Sequence, residues 1–139
     1  MPRPASEAGR RTRAGGSVAR MADAVDRYFE ALHARDWPAM RACLADDFIR
    51  RGPYADNWYP DPDLYVAYLA EVLPTYANHS IEVTRLRELD GVVTAEWTER
   101  MGSDGTRNAV RVCLVMELDA DRKIARIEAF LRKLTPQES

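Results

Sequence analysis

The chain reads as an α+β domain in which three helices come first and a curved antiparallel sheet follows. Apolar residues recur at helical spacing from Val18 to Leu44, a capped apolar stripe runs from Asp61 to Leu73, and from Ser80 onward the apolar period falls to two. Its 139 residues, 46% of them hydrophobic, supply one core, enough for a single domain that folds without staples.

Residues 1–17 hold two prolines, Gly9, Gly15, Gly16 and few apolar side chains, the composition of a disordered basic tail, and Met21 is a candidate alternative start. The first helix follows, with Val18, Met21, Val25, Tyr28/Phe29 and Leu32 on its inner face. Asp36 can cap the next, whose stripe is Trp37, Met40 and Leu44. Asp46-Asp47-Phe48 ends the helical period and opens a short strand to Arg51; structure alone explains the two aspartates. The proline, aspartate and asparagine of Tyr54 to Pro60 predict an irregular loop. Asp61 then caps a third helix with Pro62 at its first position, Leu64, Tyr65, Tyr68, Leu69, Val72 and Leu73 facing inward, and Pro74 as its stop.

Strands are predicted at 80–89, 91–101, 108–119 and 123–133, with turns at Asp90-Gly91, Ser103-Asp104-Gly105 and Asp119 to Arg122. Three helices are what the chain has to cover one apolar sheet face. Parity gives that face Val93, Ala95, Trp97, Glu99 and Met101 in one strand and Val110, Val112, Leu114, Met116 and Leu118 in the next. In the last strand Ala125, Ile127, Ala129 and Leu131 point in; Ile124, Arg126, Glu128, Phe130 and Arg132 point out. The folded domain is thus 18–134, with a short tail at 135–139.

The net charge of −2 is uneven: five arginines against one glutamate give residues 1–20 a charge of +4, leaving −6 on the rest. An acidic body argues against nucleic-acid binding. Cys43 and Cys113 lack metal or redox spacing and read as small core residues. No apolar run is long enough for a membrane span and no signal-peptide segment stands out, so the expected address is the cytoplasm with no membrane partner.

A phosphate-cradling glycine loop, Cys/His metal spacing and a Gly-x-Ser-x-Gly elbow are all missing, so neither cofactor nor metal is expected. His33, near a helix C-terminus, and His79, in a loop, read as surface residues. Any catalysis would then rest on carboxylates, tyrosines and a dry cavity. Glu99 is the anomaly: a carboxyl beside Trp97 and Met101 on an apolar face would have its pKa raised by desolvation. The competing reading pairs it with Arg100, Arg107 or solvent at the strand's open end. Tyr28 and Tyr68 are hydrogen-bond donors on inner stripes, equally readable as core residues. Trp58 and Tyr59 could form a lid or simply cover the core.

The order helix, Arg35-Asp36-Trp37 turn, helix, Ala45-Asp46-Asp47-Phe48 resembles the start of the NTF2-like superfamily, particularly its SnoaL-like and ketosteroid-isomerase-like branch, and the likeness extends over roughly residues 18–133. The resemblance implies a cone-shaped fold enclosing an apolar cavity, often dimeric through the outer sheet face. It matches Tyr28 to the isomerase's oxyanion tyrosine and Tyr68 to the supporting tyrosine. The isomerase base falls on Gly52 before Pro53 and its acidic donor on about Leu114, the cyclase aspartate on about Ala129, and an acidic residue of the scytalone dehydratase branch on about His33. All four acids are absent here. Parity keeps Arg51 and Glu128 out of the cavity.

Two functions follow as expectations. In one, the cavity binds an apolar carbonyl-bearing metabolite, lined by Trp58, Tyr59, Trp97, Leu114, Met116 and Ala129. If catalytic, it would run a cofactor-free isomerisation, cyclisation or dehydration with Tyr28 polarising the carbonyl, Tyr68 orienting Tyr28, and Glu99 moving the proton. The other is a non-catalytic ligand-binding or dimerisation domain, with Phe130 and Ile124 anchoring a homodimer.

Overall fold

The fold is known from a computed structural model that describes residues 15–76, 78–102, 108–135 and 137–138. Most of the predicted basic tail and the Ser103-Asp104-Gly105 turn lie outside the described residues. Helix α1, Gly15–Ala34, starts three residues before the predicted opening. It ends where Arg35 adopts φ 57° and the N–H groups of Arg35 and Asp36 donate to the carbonyls of Leu32 and Ala31 at 3.2 and 2.9 Å. That is a Schellman termination. Asp36 caps α2, Trp37–Ala42, its Oδ1 accepting from the Ala39 N–H at 3.1 Å. This helix is only six residues long, because Leu44 already opens β1, Leu44–Arg51.

Trp58–Tyr59 forms a short strand, β2, antiparallel to β1, inside the segment predicted to be irregular. Asp61 caps α3, Pro62–Val72, as predicted, and a 3-10 turn follows at Leu73–Thr75. The stripe of α3 is narrower than expected: Tyr65, Leu69 and Leu73 are buried, Tyr68 and Val72 half-buried, and Leu64 faces solvent.

Strands β3 (Ser80–Leu89), β4 (Val92–Met101), β5 (Asn108–Leu118) and β6 (Ile124–Lys133) fall within a residue of their predicted bounds. Asp90 and Gly91 both take positive φ, as a two-residue hairpin turn requires. The six strands form one curved sheet in the order β2-β1-β6-β5-β4-β3. The sheet is mixed rather than wholly antiparallel, because β1 lies parallel to β6.

Inner-face residues stack in cross-strand rows: Val93–Met116–Ile127, then Ala95–Leu114–Ala129, Trp97–Val112–Leu131 and Glu99–Val110–Lys133. The first row is wholly buried; the last reaches solvent at Lys133. A bulge shifts the start of β6, since Leu118 pairs with Ile124 while Glu117 pairs with Arg126. The extra residue, Ala125, reverses parity before it, so Ile124 is fully buried instead of facing out, and Phe130 is exposed without it. Cys43, packed against the core, and Cys113, outside it, are half-buried free thiols, both raised in pKa chiefly by desolvation. Among the described residues no helix is long and apolar enough to cross a membrane.

Candidate functional site

Helices α1 and α3 do not fill the space above the last two rows, and a cavity of about 390 Å³ remains, within the roughly 300–1,000 Å³ of small-molecule sites. Its walls are mostly apolar, with Leu32, Val72, Trp97, Val112, Leu114 and Ala129 among them, and the exposed rings of Tyr54 and Phe130 also border it. Polar groups gather at two places on this wall.

At the first, Tyr28 from α1 and Tyr65 from α3 join hydroxyl to hydroxyl at 2.7 Å. Tyr28 is 1% exposed, and burial, followed by the neighbouring Tyr65, holds its pKa well above 10.0, so it remains a proton donor at neutral pH. Tyr65 therefore occupies the supporting position that the sequence assigned to Tyr68. Tyr68, one helical turn on, lines the cavity with its ring tilted against Tyr59, centroids 4.7 Å apart. The guanidinium of Arg50 lies over the Tyr65 ring at 5.1 Å.

At the second, Glu99 also lines the cavity. It is neither an isolated carboxyl nor a partner of Arg100, which pairs instead with Glu82. The Trp97 indole N–H donates to its Oε1 at 3.1 Å, and Nε2 of His79 approaches its Oε2 at 2.6 Å. His79 is not a surface residue: its side chain is 5% exposed, with the Tyr76 ring 5.5 Å away. Asn78 takes φ 52° and donates from Nδ2 to the Gly102 carbonyl at 2.8 Å, tying the segment before β3 to the end of β4. This tie turns His79 onto Glu99.

Arg35 Nη2 lies 3.2 Å from Nδ1 of His79. A guanidinium can only donate, so Nδ1 accepts and the ring proton sits on Nε2, which donates to Glu99. The carboxylate thus accepts two fixed hydrogen bonds. Sequence reasoning missed His79; the pairing of Ile81 with Glu99 in the β3–β4 ladder, which carries the preceding residues past that carboxyl, was the available signal.

The remaining candidates separate. Trp97, Leu114 and Ala129 line the cavity, whereas Met116 is fully buried two residues beyond it in the packed row. Trp58 is exposed beneath the Arg51 guanidinium at 4.8 Å, and Tyr59 backs the wall through Tyr65 and Tyr68, so neither is a lid. Pro53, Tyr54 and Asn57 of the same loop are the residues at the cavity. His33 is exposed, as expected. At Gly52, φ is 86° and a Cβ would lie 2.5 Å from the Ala129 carbonyl oxygen, so a carboxylate side chain does not fit there with this backbone.

The sequence matches the SnoaL-like domain family over residues 25–127. No curated protein gives a significant sequence match. Among solved structures, a protein from Kribbella flavida, named provisionally as a ketosteroid isomerase, superposes with a TM-score of 0.72 at 18% identity, over 84% of this chain and 81% of its own. An LEH-like epoxide hydrolase from M. tuberculosis gives 0.67 at 19% identity, over 82% and 84% of the two chains. A steroid delta-isomerase from Pseudomonas aeruginosa gives 0.66 at 19% identity, over 86% and 83%. At such identities the likeness is one of fold. By its sequence match the chain belongs to the SnoaL-like domain family, and its fold is the one shared by NTF2-like structures.

Proposed function

We propose that the cavity binds an apolar, carbonyl-bearing metabolite and moves a proton on the carbon next to that carbonyl, without a cofactor. One observation carries this reading: a donor pair, Tyr28–Tyr65, and a carboxylate, Glu99, line the same apolar cavity. Glu99 accepts the carbon-bound proton, electron density moves onto the carbonyl oxygen, and Tyr28 stabilises it by donating a hydrogen bond. Return of the proton to a different carbon is isomerisation; attack of the enolate on a second carbonyl is cyclisation. Trp97 and His79 hold the carboxylate, and Arg35 fixes the His79 tautomer. His79 and Arg35 are positioning residues.

The test is deuterium exchange at the methylene of naphthylacetone, followed by NMR in deuterium oxide. The protein should accelerate it, and Glu99→Gln should lower the accelerated rate by about 100-fold, the scale of general-base catalysis, while leaving ketone binding intact. A ketone that binds yet exchanges no faster than in buffer would leave a ligand-binding domain, the alternative that the absent family acids favour.

A further inference from the structure

The tyrosine end of the cavity contains a cation that this mechanism does not use. Arg50 shares the inward parity of Phe48 on β1 and lines the cavity beside Tyr28 and Tyr65. Its Nε is buried without a hydrogen-bond partner, and among the described residues no carboxylate pairs with it. Its charge rests on the faces of Tyr65 at 5.1 Å and Tyr59 at 6.0 Å. Neighbouring Arg51 differs: it faces outward over Trp58. Ring faces attract a cation but leave its N–H donors unused. A guanidinium on an apolar wall with free donors is a receptor for a planar anion.

We infer that the ligand is an acid, with an apolar body and one carboxylate that seats on Arg50 while its carbonyl lies at Tyr28. This deepens the reading given above and rests on it. Of the three charged residues on the wall, the Glu99 carboxylate repels the ligand's charge, Lys133 lies at the solvent-exposed rim, and Arg50 is the one with a buried, unpartnered N–H to receive it. Arg50 and Glu99 stand on β1 and β4, three strand spacings or roughly 14 Å apart across the sheet, and Arg50 pairs into the Val93–Met116–Ile127 row, from Val93 of which Glu99 lies a further roughly 20 Å along β4. The ligand's carboxylate and its reactive carbon are therefore separated by an extended apolar segment.

The experiment compares two probes of nearly one shape, naphthylacetate and naphthylacetone, by titration calorimetry against the full chain. The acid should bind at least about tenfold more tightly than the ketone, and the gap should shrink with added salt. Arg50→Gln should abolish the preference by weakening binding of the acid; Arg50→Lys, which keeps the charge on the wall, should retain part of it. Lys133→Gln, at the exposed rim of the same cavity, should leave it intact. Equal affinities for the two probes in the unmodified protein, which need no variant to read, would overturn the inference while sparing the cavity reading. So would a preference lost in Lys133→Gln and kept in Arg50→Gln. Failure of both probes to bind would remove the cavity reading and this inference with it.

Discussion

The two halves of the inner sheet face carry the same alternation of apolar side chains and are put to different uses. In the row Val93–Met116–Ile127 every residue is wholly buried; two rows further along the same strands, Trp97–Val112–Leu131 borders open space. Parity therefore predicts that a side chain points inward without predicting what it meets. What differs is the cover. Where helix side chains reach the sheet a core forms, and where α1 and α3 present tyrosines whose hydroxyls bond to each other, a cavity is left.

The largest effect that sharpens this comparison is a matched truncation. Met116→Ala should destabilise the fold by about 2–5 kcal/mol, because it opens a void in a packed row. Val112→Ala should lose only about 1 kcal/mol, because the missing methyl groups merge with existing space. Urea denaturation of both variants checks this. Equal losses would mean the cavity is closed in solution.

Tyr28 stands between the two halves, fully buried yet bonded at the cavity. Tyr28→Phe should slow carbonyl-directed exchange at least about tenfold, and leaving Tyr65 without its partner should cost about 1–2 kcal/mol of stability. Tyr68→Phe, whose ring packs on Tyr59 and whose hydroxyl has no bond to Tyr28, should leave the exchange rate unchanged. The pH dependence gives a second readout. The folded-state pKa of Tyr28 lies above its unfolded value near 10.0, so its stabilising contribution is present below that pH and is lost as pH rises through the folded value. Stability should fall less steeply above pH 10.0 in Tyr28→Phe than in the unmodified protein.

Most elements were legible in the sequence because local chemistry determines them: Asp36 and Asp61 cap, Asp90-Gly91 turns, and four strands keep period two. The errors came from longer-range geometry. A single bulged residue, Ala125, reversed the facing of Ile124, and the parallel pairing of β1 with β6 has no local signature. The site was half legible. Glu99 stood out as a charge on an apolar face, but Tyr65 rather than Tyr68 reaches Tyr28 because of how α3 is rotated. His79 is recruited by a loop tie at Asn78. Arg50 could have been found by extending alternation two residues from Phe48. The missing acid at Gly52 has a steric cause, the Ala129 carbonyl, which sequence comparison alone does not reveal.

The smallest effect tests whether the carboxylate end has been bought at the expense of stability. Arg35 occupies a left-handed position, φ 57°, at the α1 terminus, where glycine is favoured and another residue costs roughly 1 kcal/mol. Its guanidinium is the group that contacts Nδ1 of His79. Arg35→Gly should raise stability by up to about 1 kcal/mol in urea while lowering the exchange rate several-fold, as the His79 tautomer is released and Glu99 loses a fixed donor. His79→Gln, which keeps a side-chain N–H donor for Glu99, should recover part of that rate in the Arg35→Gly background. If Arg35→Gly is stabilising with no change in rate, the contact to His79 is incidental, and the close approach of His79 to Glu99 holds the ring without it.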